Sequence, residues 1–257
     1  MRVFIALIIC SIIFLGVVPP GMAELTGREI VEKTDEILRG NATNRAFVEM
    51  TVIRPKWKRT IRLKTWSEKL EKTMVRIVYP SKEQGIGTLK VGKEVWTYIP
   101  DVERIIKIAP SMMAQPWMGS DFTYEDIVRT DTIIMDYEHR LVDKTKIKGQ
   151  EVYIIESIPK PEAPVVWGKL RLIIRAKDFI PIRQEYYDES GKLIRVLSYS
   201  NIKNLGGRKF PARLEMRPLV NKDGLTVIRY LDIAFDKPIN KRIYTLQNLK
   251  SGKYEHY

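Results

Sequence analysis

From Arg45 to Phe235 apolar and polar residues alternate with a period of two, and short turn signals interrupt the alternation repeatedly. This pattern constrains the fold more than any other feature of the chain. In Thr60–Trp66, Ile61 and Leu63 fall on one face while Arg62 and Lys64 fall on the other, and Lys169-Leu170-Arg171-Leu172 repeats the arrangement. Period two is the spacing of side chains along a strand. The interruptions are turn-forming: Val91-Gly92-Lys93, Lys148-Gly149-Gln150, Glu189-Ser190-Gly191, Gly206-Gly207 and Lys222-Asp223-Gly224. Connections this short join antiparallel neighbours, because parallel strands need long crossovers. The sequence therefore predicts a mainly β fold, one long curved antiparallel meander of roughly ten to thirteen strands. One face is wet and the other is covered.

The covers are few. Thr26 and Glu29 have the T-x-x-E spacing of a capping box, and Leu25 can staple to Ile30. Ile30, Val31, Thr34, Ile37 and Leu38 then share one helical face, and Gly40 supplies the C-cap. A second short helix is expected after Ser120 or Thr123, with Thr123-x-x-Asp126 as its cap and Tyr124, Ile127 and Val128 on its buried side. Two short helices are too little to cover the inside of so many strands, which predicts an apolar cavity beneath them. No linker divides the chain, and the run Pro159-Lys160-Pro161-Glu162-Ala163-Pro164 reads as a stiff excursion between two strands.

The first 23 residues read as a secretory leader: Arg2, an apolar run from Val3 to Val18, Pro19-Pro20, then Gly21 and Ala23 as the small residues of a cleavage site. The expected mature domain is Glu24 to Tyr257, placed in a bacterial periplasm. Cys10 lies inside the leader, with Leu7-Ile8-Ile9 before it in place of the small residue that lipidation requires. The mature chain then has no cysteine for a disulfide, a thiolate metal site or a nucleophile. The formal net charge of +13 favours anionic partners. Nucleic acid is not expected, since the chain is secreted and carries no recognisable nucleic-acid motif. The basic residues are also dispersed along strands, as on any solvated sheet face.

Catalytic signals are weak. His139 sits in the charged strand Asp136-Tyr137-Glu138-His139-Arg140, where a surface position is expected, and His256 is next to the C-terminus. Neither H-E-x-x-H nor G-x-S-x-G occurs. Ser120-Asp121 brings a hydroxyl beside carboxylates, which a helix cap explains. We expect no enzyme, no cofactor and no metal site.

The unusual segment is Pro110–Ile127, PSMMAQPWMGSDFTYEDI. Met112, Met113, Trp117, Met118, Phe122 and Tyr124 crowd a stretch broken by Pro110, Pro116 and Gly119. Methionine adapts to varied apolar shapes, and aromatic rings add contact area at low entropic cost. These six residues suit a hinged lid at the mouth of an apolar cavity, and equally suit core filler under a long loop.

The run Trp117-Met118-Gly119-Ser120-Asp121-Phe122-Thr123-Tyr124-Glu125-Asp126 resembles the signature of the outer-membrane lipoprotein-sorting (LolA-like) family, in the branch with an MGSDFSYED-type motif; Thr123 stands where serine is frequent. The resemblance implies an open antiparallel half-barrel with helices covering its concave face. It also implies a periplasmic carrier, without a cofactor, that shuttles acyl chains of lipoproteins or other lipids toward the outer membrane and meets membranes only peripherally. An inner-membrane transporter of the RND type is the implied partner. The alternative is a non-catalytic accessory subunit of such an exporter that docks through the Met-rich segment.

Overall fold

Among the described residues the alternating segments form thirteen strands. The first six are β1 (Thr43–Arg54), β2 (Trp57–Glu68), β3 (Lys72–Tyr79), β4 (Gly87–Val91), β5 (Glu94–Ile99) and β6 (Arg104–Lys107). The remaining seven are β7 (Tyr137–Ile147), β8 (Gln150–Pro159), β9 (Lys169–Arg175), β10 (Pro181–Tyr187), β11 (Leu193–Leu205), β12 (Arg208–Pro218) and β13 (Leu225–Phe235). They were located in a computed structural model, which describes residues 24–69, 71–128, 132–163, 165–220 and 223–255. The leader with Cys10, the Lys222 position of the last predicted turn, and His256 lie outside the described residues.

All thirteen strands belong to one antiparallel sheet, in the order β6-β5-β4-β3-β2-β1-β13-β12-β11-β10-β9-β8-β7. The chain starts in the middle of the sheet and meanders out to one edge at β6. It then crosses to the opposite edge at β7 and meanders back, until β13 pairs with β1 from Asn44↔Phe235 to Ile53↔Leu225. The single meander expected from the sequence is thus two meanders, joined by residues 108–136. That connector contains the Met-rich segment.

The sheet is strongly curled. Val75 on β3 and Ile155 on β8 belong to one buried cluster, although eight strand spacings separate them in the sheet order. In a flat sheet they would stand about 38 Å apart, at ~4.8 Å per strand. Register shifts at Phe47/Val48, Arg62/Leu63 and Leu141/Asp143 assist, because bulges add local bend and twist.

The helix α1 (Gly27–Arg39) lies over the concave face. Its capping box is formed: the Glu29 amide donates to Thr26 Oγ1 and the Thr26 amide donates to Glu29 Oε2. Ile30, Val31 and Thr34 are buried, and Gly40 (φ 77°) ends the helix. Gly27 sits against the backbone of β7, where an added Cβ would come within 2.7 Å of the Leu141 nitrogen. That close approach sets α1 on the sheet edge.

The convex face has its own cover. Trp66, Met74, Leu89 and Tyr98 point outward and pack on Ile243, Tyr244 and Leu249. The last three come from a short 3₁₀ turn (Lys241–Tyr244) and the helix α4 (Leu246–Ser251). Thr245 caps α4 by accepting from the Asn248 amide, and Gly252 (φ 66°) closes it. The sequence reading assigned no element to this C-terminal segment.

Candidate functional site

The connector closes one end of the concave face. After β6 it forms two short 3₁₀ turns, then α2 (Tyr124–Val128) and α3 (Thr132–Met135). Met118 (φ 50°) and Gly119 (φ 67°) are consecutive left-handed residues, and they turn the chain sharply before Ser120. The Ser120 hydroxyl accepts from the Phe122 amide at 3.1 Å and lies 3.2 Å from the Phe122 carbonyl, so it is consumed by the turn. Thr123 caps α2 with Asp126 Oδ2, which accepts from the Thr123 amide and hydroxyl at 2.7 and 2.9 Å. The capping box expected after Thr123 is present.

Two carboxylates of the motif fasten the connector to the sheet. Asp121 receives the Arg54 guanidinium through both oxygens at 2.9 and 3.0 Å, and the Thr226 hydroxyl at 2.6 Å. The Asp121 amide in turn donates to Thr226 Oγ1 at 2.9 Å. This ties the connector to β1 and β13, the two strands where the meanders meet. Arg59 adds a hydrogen bond to the Met118 carbonyl. Asp126 receives Arg195 through both oxygens at 2.7 Å, which ties α2 to β11. The Arg195 guanidinium is 4.1 Å from the Tyr186 ring centre and 4.4 Å from that of Trp167. Burial opposes its charge, but the field and hydrogen bonds of Asp126 outweigh that, and its pKa stands above the usual arginine value.

Beneath the connector and α1 is a cavity of about 250 Å³. Its walls include Val48, Met50, Leu63, Leu197 and Ile228 from the sheet, with Trp117 and Phe122 from the connector. Ordinary ligand sites measure ~300–1,000 Å³, so this cavity lies just below that range. Tyr137, Tyr186 and Tyr199 line the same cavity, and burial pushes all three well above the usual phenol pKa. Burial there disfavours an isolated charge, and the two α2 carboxylates that also line the cavity, Glu125 and Asp126, both have partners. Arg39 and Asn44 line both the cavity and an adjoining polar recess that includes Asp35, Lys69 and Ile134. The cavity thus has a polar margin at the C-terminal end of α1.

The six sequence-predicted residues separate. Trp117 (1% exposed) and Phe122 (4%) line the cavity, and the Trp117 indole donates to Thr88 Oγ1 at 3.2 Å. Met113 is buried elsewhere, in a small cluster with Val95 and Ile108. Tyr124 bridges that cluster and the main core, and Met118 packs at the margin of the main core. Met112 faces outward, 44% exposed. Sequence reasoning missed Arg54, Arg195, Tyr186 and Trp167. Arg54, Arg195 and Tyr186 lie in strands remote from the motif and Trp167 in the loop before β9, where a basic or aromatic residue looks like ordinary surface.

His139 is half-buried at the α1 end of β7, not on an open surface, because Gly27 brings the helix close. Its Nδ1 lies 2.7 Å from the fully buried Ser157 hydroxyl. Burial depresses its pKa from 6.5 to about 4, and Arg28 and Lys160 push the same way, against a hydrogen bond that the ring donates to the Ile133 backbone carbonyl and against Glu32. The unfolded chain takes up this proton near pH 6.5 and the folded chain only near pH 4. Its contribution to stability is therefore complete above pH 6.5 and is lost as pH falls through that window. Chemical denaturation at a series of pH values should show this slope, and His139→Gln should flatten it.

Among the described residues no group of three or more His, Cys, Asp or Glu side chains is placed to hold a metal. Among them, too, no helix is long and apolar enough to cross a membrane.

Solved structures share the fold. A LolA superfamily protein from Nitrosomonas europaea is 24% identical with a TM-score of 0.76, over 87% of this chain and 99% of that one. A domain described as that of an outer membrane lipoprotein-sorting protein from Vibrio parahaemolyticus is 22% identical with a TM-score of 0.75, over 87% and 98%. A DUF1329 family protein from Desulfovibrio piger is 20% identical with a TM-score of 0.78, over 87% and 97%. No curated protein matches the sequence. A family model described as "Uncharacterized protein" matches residues 69–251. That match runs from the β2–β3 turn through α4 and so covers well over half the chain, which belongs to this family and is built on a LolA-like, mainly β open sheet.

Proposed function

We propose that the protein is a periplasmic carrier that holds acyl chains of lipoproteins or other lipids in the concave cavity and moves them toward the outer membrane. The observation that carries this reading is the apolar cavity itself, left between a curled sheet and its covering connector. The LolA-like fold and the MGSDF-type motif support it. Each methylene moved from water into such a space gains about 0.8 kcal/mol, so one chain offsets a modest cost of displacing the cover. Trp117 and Phe122 are the connector residues in contact with the cargo, while Met112, Met113, Met118 and Tyr124 support or flank the cover. The polar margin at Arg39 and Asn44 is where a head group meets solvent. Release requires a partner that stabilises the displaced cover, because cargo leaving for water loses the burial gain. An inner-membrane exporter is the partner class we assign.

Binding of a fluorescent fatty-acid probe to delipidated protein tests the reading. Leu197→Trp places an indole in the cavity and should weaken probe binding at least about tenfold, at a stability cost of no more than about 1–3 kcal/mol, the range for an enlarged core side chain. Wild-type protein that is purified empty and binds no probe would overturn the proposal.

A further inference from the structure

The turn between β1 and β2 carries Arg54-Pro55-Lys56-Trp57-Lys58-Arg59. Arg54 pairs with Trp57 across the strands, so Pro55 and Lys56 alone make the turn. The outer two cations of this run face the connector: Arg54 holds Asp121, and Arg59 donates to the Met118 carbonyl and lies 3.8 Å from Glu83. The middle four residues are all exposed. Lys56 and Lys58 have no ion-pair partner among the described residues. Trp57 is 49% exposed, whereas Trp66 and Trp117 are 1% exposed and Trp96 and Trp167 are half-buried. The neighbouring loop between β12 and β13 presents Val220, 52% exposed, and Arg217 is exposed at the end of β12.

We propose that this tip is a docking site for an anionic phospholipid surface. An indole with an apolar body and one N–H is suited to the boundary between head groups and acyl chains. Each lysine near an anionic bilayer strengthens binding by roughly fivefold. Two unpaired lysines flank the ring, so charge and apolar contact engage the surface together. A protein partner fits less well, since a stable protein interface takes about 20–30 residues a side and this tip offers a few side chains at a protruding turn. The short proline turn holds the ring in place before contact, which lowers the ordering cost. Docking here brings the connector close to the membrane, because Arg54 and Arg59 on the same hairpin hold it. The inference stands on the chemistry of the tip and does not require a filled cavity.

Co-sedimentation with vesicles tests it. Wild-type protein should bind mixed phosphatidylcholine–phosphatidylglycerol vesicles, bind pure phosphatidylcholine vesicles far less, and lose binding as salt rises. Trp57→Ala should weaken binding several-fold, and Lys56→Glu with Lys58→Glu at least about tenfold, with unfolding midpoints unchanged. Brominated lipids should quench wild-type tryptophan emission and leave Trp57→Phe emission unchanged. Equal vesicle binding by wild type and tip variants would overturn the proposal. So would tip-dependent binding to polyglutamate without binding to anionic vesicles, which would make the tip an acidic-protein site. Loss of fatty-acid probe binding would bear on the carrier reading and not on this one.

Discussion

Arg195→Met is expected to destabilise the protein by about 3–5 kcal/mol, the range for removing one partner of a buried ion pair. Arg195 is 5% exposed and the Asp126 side chain 13%, so the variant leaves a largely enclosed carboxylate with only the Thr123 donors. Methionine keeps most of the length and apolar bulk that fill the slot between Tyr186 and Trp167, so the loss reports the charge and not a cavity. The companion variant Arg195→Met with Asp126→Asn should recover much of the loss. Asparagine keeps an oxygen for the Thr123 cap and removes the unpaired charge. Urea denaturation of both variants measures the difference. Hydrogen exchange should show where it acts: protection should fall first in residues 116–128, since Arg195 is what ties α2 to β11. If both variants lose the same stability, the fastening is packing and not electrostatics.

The strands were legible because their signal is local. Lys72–Tyr79, Glu94–Ile99 and Tyr137–Ile147 begin and end where alternation and turn residues place them. The capping boxes at Thr26 and Thr123 were legible for the same reason, as each is complete within four residues. Alternation also misplaced some ends. The sequence pattern alone suggests a strand from Val165 to Ala176, but β9 begins at Lys169, because Gly168 packs against the Asp188 backbone and residues 165–167 are not paired into the sheet. β11 runs on to Leu205 through the exposed Lys203 and Asn204, which hide the alternation, and β12 begins at Arg208, ahead of the buried Phe210. Pairing between remote strands leaves no local mark. Nothing near Thr43 or Phe235 announces that they close the sheet at its centre, so the connector's long crossing was not foreseen.

The Met-rich segment shows a second limit. Composition establishes that methionines and aromatic rings meet apolar surface, but not which surface. Trp117 enters the cavity because its buried N–H finds Thr88, whereas Met113, four residues earlier, fills a separate cluster under β5. Both are core-forming uses of one greasy stretch, and only one of them touches the candidate site. The residues that position the motif are arginines on other strands, and their role exists only after the sheet has curled.

Arg76→Met should cost a similar 3–5 kcal/mol, by freeing the convex-face cover. Arg76 is 6% exposed on β3, and its guanidinium serves the C-terminal segment apart from one hydrogen bond to the Gly85 carbonyl. It donates to Glu255 at 2.7–3.1 Å and to the Asn248 and Leu249 carbonyls at 3.1 and 2.7 Å, so it satisfies the end of α4 as well as a carboxylate. Asn248 reinforces the latch by donating to Glu255 and to the Ile243 carbonyl. Without the arginine, the Ile243, Tyr244 and Leu249 anchors lose their main polar attachment, and Trp66, Met74 and Leu89 beneath them meet water. Limited proteolysis should then cut within residues 239–255, and a dye that binds exposed apolar surface should respond before global unfolding. Fatty-acid probe binding should persist in the variant at temperatures below its midpoint, because the two buried clusters lie on opposite faces of the sheet and share no side chain. Simultaneous loss of both would mean that the convex cover sets the curl that holds the cavity open.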